Sequence, residues 1–186
     1  MATDPGPHLF WITSRAAGTV ALVLASVSVG VGLLLSTKLV RRRGPDLRVL
    51  HEALSLAAIA AIGIHGLSLL GDHYLHPSLT DIGIPFVSSY KTWWTSLGIV
   101  AGWATAALGL SYYLRRWIGQ DRWRRLHRLT ALVWVIGLAH SLGEGTDAGR
   151  VWFLAATGMV VLPTLWLLIE RHAGALTVAE PVDPAR

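Results

Sequence analysis

The chain has 186 residues, 53% of them hydrophobic and 15% charged, with a mean hydropathy of +0.50. That balance excludes an ordinary water-soluble domain of this size and points to a multi-span membrane protein. The lack of cysteine excludes disulfides, thiolate metal sites, iron–sulfur clusters and covalent haem attachment, and the net charge of +5 comes from short basic clusters beside apolar runs, a topology signal rather than a nucleic-acid surface.

About five segments are apolar enough to cross a hydrocarbon core roughly 30 Å thick, which takes about 20 helical residues. They fall near residues 14 to 37, 49 to 71, 92 to 114, 126 to 143 and 151 to 170, and the expected fold is an all-α integral membrane bundle, because lipid-exposed backbone must satisfy its own hydrogen bonds. The opening MATDPGPHLFWITSR lacks the basic start and small-residue cleavage site of a signal peptide, so the first segment is expected to stay in the protein. Lys38, Arg41, Arg42, Arg43 and Arg48 follow the first segment, and a second arginine group from Arg115 to Arg128 lies between the third and fourth. Both loops are expected on the cytoplasmic side of the plasma membrane, with the N-terminus outside and the C-terminus inside. Residues 1–13 then read as an extracytoplasmic segment, 14–170 as the membrane domain and 171–186 as a short cytoplasmic tail. The outer loop of about residues 72 to 91 carries Pro77, Gly83 and Pro85 and could cap the bundle.

Two segments carry two histidines each, and ionisable groups inside a span are costly enough to signal function. His51 and His65 are 14 residues apart, about 21 Å along a helix and close to four full turns, so they face nearly the same way. His127 and His140 are 13 apart, about 19.5 Å. One crossing separates these two segments, so they run parallel and the histidines form two level pairs, His51 with His127 and His65 with His140. Such pairs suit two b-type haems wedged between helices, each iron taking two axial imidazoles, an arrangement that favours electron transfer over oxygen binding. Gly63, Gly66 and Gly137 offer space for a flat macrocycle. The 13-residue interval leaves its second histidine well over 90° from the first on an ideal helix, which calls for a distorted first turn at His127 or a helix that twists across the haem faces. A histidine-lined metal or proton pathway uses the same residue type, but few carboxylates lie at mid-membrane depth.

The 14 and 13 spacings, the run WRRLHRLTALVWVIGLAH, the opening WITSRAAG and the segment LHEALSLAAIAAIGIHGLSLLGD resemble the ferric reductase-like transmembrane domain. That superfamily includes NADPH oxidases, ferric reductases and the haem-binding membrane subunit of the bacterial methionine sulfoxide reductase system. The resemblance covers about residues 10 to 170 and places the axial ligands on His51, His65, His127 and His140. It implies an oxidoreductase component that carries electrons across the membrane. Relatives often have six spans and a cytoplasmic flavin and NADPH domain, whereas this chain shows no dinucleotide fingerprint. No flavin or nicotinamide site is expected, and a separate donor protein or a quinol is implied, with ferric iron or a partner reductase as acceptor. An alternative within the same reading is a haem-bearing anchor subunit of an exported oxidoreductase.

Secondary candidates follow from the charges. Arg15, His73 and Lys91 could meet haem propionates on the outer side, and Arg48, Arg124 and Arg128 on the inner side; each reads equally as an interfacial anchor. His73 and His76 could bind a ferric ion. Gly98 and Gly102 match a small-xxx-small packing contact, and the basic inner loops could dock a donor protein or anionic lipid.

Overall fold

Backbone that cannot rely on water closes its hydrogen bonds within helices, and the computed structural model, which describes residues 8–36 and 44–177, contains no strand among them. The elements are α1 (Leu9–Ser36), α2 (Gly44–Ser68, continued by a 3₁₀ turn at Leu69–Gly71), α3 (Leu79–Gly83), α4 (Thr92–Leu110, continued by a 3₁₀ turn at Ser111–Leu114), α5 (Arg115–Ile118), α6 (Gln120–His127), α7 (Thr130–Glu144) and α8 (Val151–Thr177). Helix α1 begins before the expected residue 14, so WITSR is already helical, and α8 runs past the expected 170. The basic cluster Lys38 to Arg43 and the tail from residue 178 lie outside the described residues.

Four helical stretches, Leu9–Ser36, Pro45–Gly71, Thr92–Ile118 and Val151–Gly174, are long and apolar enough to cross a membrane. The fifth expected crossing falls short of that length. It is α7, 15 residues, or about 22 Å, and the arginines of α6 explain why the apolar run starts only at Thr130. Between α6 and α7 the chain stays right-handed helical but tightens: Leu129 N–H reaches back three residues to the Leu126 carbonyl (2.9 Å) before the four-residue step resumes at Val133. Thr130 Oγ1 donates to the His127 carbonyl at 2.7 Å. A 3₁₀ step turns the chain about 120° per residue instead of about 100°, which swings His127 towards the face that His140 occupies. The distorted first turn is therefore the arrangement adopted.

The centre is held by a polar knot between α1, α7 and α8. Ser26, fully buried, accepts from Trp134 Nε1–H (3.0 Å) through Oγ, and its carbonyl accepts from Thr164 Oγ1 (2.9 Å). Small and apolar side chains such as Leu22, Ala58, Ala101, Val133 and Phe153 are buried along the bundle. Outward, Val49, Leu67, Leu132, Leu162 and Ile169 stand exposed, more apolar surface than water tolerates and suited to lipid.

The loop between α2 and α4, expected on the outer side, packs along α4. Ser78 and Asp81 form a reciprocal capping box on α3, Phe86 N–H donates to Ser96 Oγ (2.7 Å) and Trp103 Nε1–H to the Gly83 carbonyl (2.9 Å). The loop thus lies along the outer half of α4. Bonds from the Ser78 hydroxyl and amide hold the Asp81 carboxyl below the usual carboxylate range.

Candidate functional site

Helices α1 and α2 pack antiparallel, as do α4 and α7, which leaves α2 and α7 parallel with their histidines level. The rings of His51 and His127 lie 6.0 Å apart, centre to centre, and cross at 90°. Those of His65 and His140 lie 6.2 Å apart at 68°. The structure therefore brings together both pairs expected from the spacing.

Each histidine is aimed from behind by a neighbouring helix. His65 Nδ1–H donates to the Ser14 carbonyl (2.8 Å), while Ser14 Oγ donates back to the His65 carbonyl (2.9 Å). His51 Nδ1–H donates to the Ser28 carbonyl (2.9 Å), and Ser28 Oγ reaches Ser55 Oγ (2.8 Å), which donates to the His51 carbonyl (2.7 Å). His140 Nδ1–H donates to the Trp94 carbonyl (2.8 Å). Donation from Nδ1 fixes the tautomer and leaves the Nε2 lone pair free as a ligand. His127 is held more loosely: its Nδ1 is buried beside the Leu108 carbonyl but closes no hydrogen bond to it, and the Trp123 ring stacks on it at 5.0 Å and 24°.

Glycine supplies the clearance. A Cβ at Gly18 would come within 2.9 Å of His65 Nδ1, one at Gly32 within 3.2 Å of His51 Cε1, and one at Gly98 within 2.5 Å of His140 Cε1. Gly98 is thus a cradle for an imidazole rather than a helix-packing notch. At the glycines expected to leave space for a macrocycle, a Cβ on Gly137 would touch Ala101, and one on Gly63 or Gly66 would meet no protein atom within 4 Å. Sequence reading missed Ser14, Gly18, Ser28 and Gly32, although the signal was present. Ser-x-x-x-Gly recurs 14 residues later on α1, the interval that separates His51 from His65.

The donor set narrows what these residues can hold. Two imidazoles bonded at about 2.0 Å on opposite sides of one metal ion have ring centres about 6 Å apart, which both pairs match. Among the described residues no group of three or more His, Cys, Asp or Glu side chains comes together for a metal ion. A bare zinc ion, which takes four ligands, is poorly served by two. An iron that brings its own in-plane nitrogens, as in haem, needs only the two axial ones, so the residues fit that group.

Several of the secondary candidates have partners within the protein. Arg15 pairs with Asp147 and covers the Trp11 ring at 4.1 Å. Lys91 Nζ donates to the Gly143 and Glu144 carbonyls (3.3 and 3.4 Å), capping the negative end of α7. His73 is exposed and faces His76 with ring centres 6.2 Å apart; no third ligand joins them. On the inner side Arg124 pairs with Asp121 (2.9 Å), and Arg48 and Arg128 are exposed. One residue not singled out earlier stands close to the site. Glu144, held by Thr95 Oγ1 (3.0 and 3.2 Å), brings its carboxylate to 3.5 Å from His140 Nδ1. Comparison with protein-family models, curated proteins and solved structures gives no match.

Proposed function

We propose that this chain carries electrons across the plasma membrane through two b-type haems, one between His51 and His127 and one between His65 and His140, as the ferric reductase-like resemblance implies. The observation that carries the reading is the pair of ring separations, 6.0 and 6.2 Å, on two levels of the same two helices. When bound, the haems supply one-electron iron chemistry at a saturated coordination sphere. The protein's part is to hold four imidazoles by Nδ1 and by glycine clearance, and to keep water from the path with the apolar faces of α1, α2, α4 and α7. With α7 and the last turn of α6 counted as the fifth crossing, the N-terminus lies outside, the arginine-rich α5 and α6 face the cytoplasm, and electrons run from a cytoplasmic donor protein or quinol to an outer acceptor such as ferric iron or a partner reductase.

The test is an absorption and EPR spectrum of the purified protein expressed with ample haem. Expected are two b-type centres per chain with strongly anisotropic low-spin signals, because the axial rings cross at 90° and 68°. A colourless, folded protein that moves metal or protons in liposomes points instead to a histidine-based carrier. Co-purification of an exported enzyme marks the chain as an anchor subunit.

A further inference from the structure

The inner pair has a neighbour that the outer pair lacks. Trp123, one turn before His127 in α6, is fixed between that histidine and the α4 extension: its Nε1–H donates to Ser111 Oγ (3.2 Å), and its ring meets Tyr112 at 5.9 Å. Tyr112 meets Tyr113 at 5.3 Å. Tyr113 is 49% exposed, and its hydroxyl donates to Glu52 Oε1 at 2.7 Å, which ties the end of the run to α2 one residue after His51. A continuous run of π-systems therefore leads from an axial imidazole to the surface at the arginine-bearing end. Among the described residues the rings of His65 and His140 contact only each other.

The rim of this run is positive. Arg115 lies over the Tyr112 ring at 3.8 Å, and Arg116, Arg122, Arg125 and Arg128 are exposed in the same stretch. The acidic side chains described there are engaged, Asp121 by Arg124 and Glu52 by the Tyr113 hydroxyl. Topology accounts for the arginines but not for an indole stacked on a histidine and held from both sides.

We propose that Trp123, Tyr112 and Tyr113 form the electron inlet of the inner centre, and that the surrounding arginines dock an acidic one-electron donor protein. The inference rests on the bis-haem reading. In the step, the docked donor loses one electron and the ferric iron between His51 and His127 gains it; no bond forms or breaks and no proton moves. The π-run shortens the through-space gap that the electron must tunnel, and the arginines raise the encounter rate by steering an oppositely charged partner.

The experiment uses the full chain in nanodiscs of neutral phosphatidylcholine, with reduced flavodoxin, a small acidic flavoprotein, as the probe donor. Stopped-flow absorbance reads the rate of inner-haem reduction, and EPR reads whether the His127-ligated centre is intact. Expected are a fall of about tenfold or more in Trp123→Leu, near-normal rates in Trp123→Phe, and a steep fall of the wild-type rate with salt as screening grows. Tyr112→Leu, which does not touch His127, should slow reduction with the EPR signal unchanged, so the inlet is tested even if Trp123→Leu loses haem. The double variant Arg122→Glu, Arg125→Glu should slow flavodoxin but leave reduction by a small neutral hydroquinone unchanged. Unaltered rates in haem-replete Tyr112→Leu and Trp123→Leu overturn the inlet; a salt-independent rate overturns the docking surface. Wild-type protein with no Soret band overturns the bis-haem reading itself.

Discussion

The His65–His140 and His51–His127 pairs, outer and inner in the proposed topology, are held by the same device on the α1–α2 side and by different ones on the α4–α7 side. On α1, Ser14 with Gly18 serves His65, and Ser28 with Gly32 serves His51, two copies of one motif at a four-turn interval. On α4, Trp94 with Gly98 serves His140, and 14 residues on the chain has Leu108, but Tyr112 stands where a second copy would place the glycine. The Leu108 carbonyl lies beside His127 Nδ1 without closing a hydrogen bond to it, and an indole lies against the ring's face. Repetition sets the geometry of the imidazoles, and departure from it distinguishes the two levels.

The largest effect expected is loss of one centre at a time. His140→Ala should remove the outer haem and leave the inner spectrum nearly intact, and His127→Ala should do the reverse, each halving the haem per chain. Pyridine haemochrome stoichiometry with EPR checks this. Equal loss of both centres in either variant breaks the division into two independent pairs.

Next comes clearance. Gly98→Ala puts a methyl group 2.5 Å from the His140 ring, whereas Gly32→Ala approaches His51 only to 3.2 Å. The first must displace the imidazole and its bond to the Trp94 carbonyl, and disturbing such outer-shell support typically costs about 10- to 100-fold in metal affinity. The second needs a shift of a few tenths of an ångström. Haem retention during dilution should therefore fall steeply at the outer centre in Gly98→Ala and only slightly at the inner one in Gly32→Ala. If both variants lose haem alike, ring clearance is not what separates the pairs.

These residues also mark what could be read without coordinates. The pairing of His51 with His127 and His65 with His140 was legible because side chains at equal helical intervals on parallel helices must meet. The motif on α1 was legible in principle for the same reason, since a 14-residue repeat on an antiparallel neighbour keeps register with a 14-residue histidine interval. The role of Gly98 was not, because it depends on which face of α4 turns to α7, and the uniformly apolar α4 gives no amphipathic clue. The contact from Trp94 is made by a backbone carbonyl, which every residue type possesses. The shortening of the fourth crossing to α7 was hinted at by its arginine-rich start, but the tight turn at Arg128–Leu129 has no proline or glycine to announce it.

A smaller effect belongs to charge. Glu144 stands 3.5 Å from His140 Nδ1, with side chains 19% and 21% exposed. No carboxylate stands in the corresponding place behind His127. A carboxylate behind a ligating imidazole raises its basicity and favours the ferric state. Glu144→Gln should raise the midpoint potential of the outer centre; a charge interaction on the order of 1 kcal/mol corresponds to about 40 mV for a one-electron couple. The inner potential should stay in place. Potentiometric titration followed at the two EPR signals reads both at once, and a shift confined to the inner centre reverses the assignment of depths.

The smallest effect tests the half that the pairs share. In Ser14→Ala and Ser28→Ala the backbone carbonyl that accepts from Nδ1–H remains, so each histidine keeps its tautomer and its aim. What goes is the hydroxyl, which in both places lies 3.1 Å from the histidine Nδ1: Ser14 also loses its bond to the His65 carbonyl, and Ser28 its link through Ser55 to the His51 carbonyl. A hydrogen bond of this kind contributes about 0.5–1.5 kcal/mol, which predicts a modest and similar loss of thermal stability in the two variants, with both haems retained. Towards the histidine carbonyl the outer variant loses a direct bond and the inner one a relayed bond, so any inequality should favour a larger loss in Ser14→Ala. A much larger loss in Ser28→Ala would mean that the inner pair, already without a closed hydrogen bond at His127 Nδ1, depends on α1 more than the outer pair does, and the α1 motif would then be shared in form but not in weight.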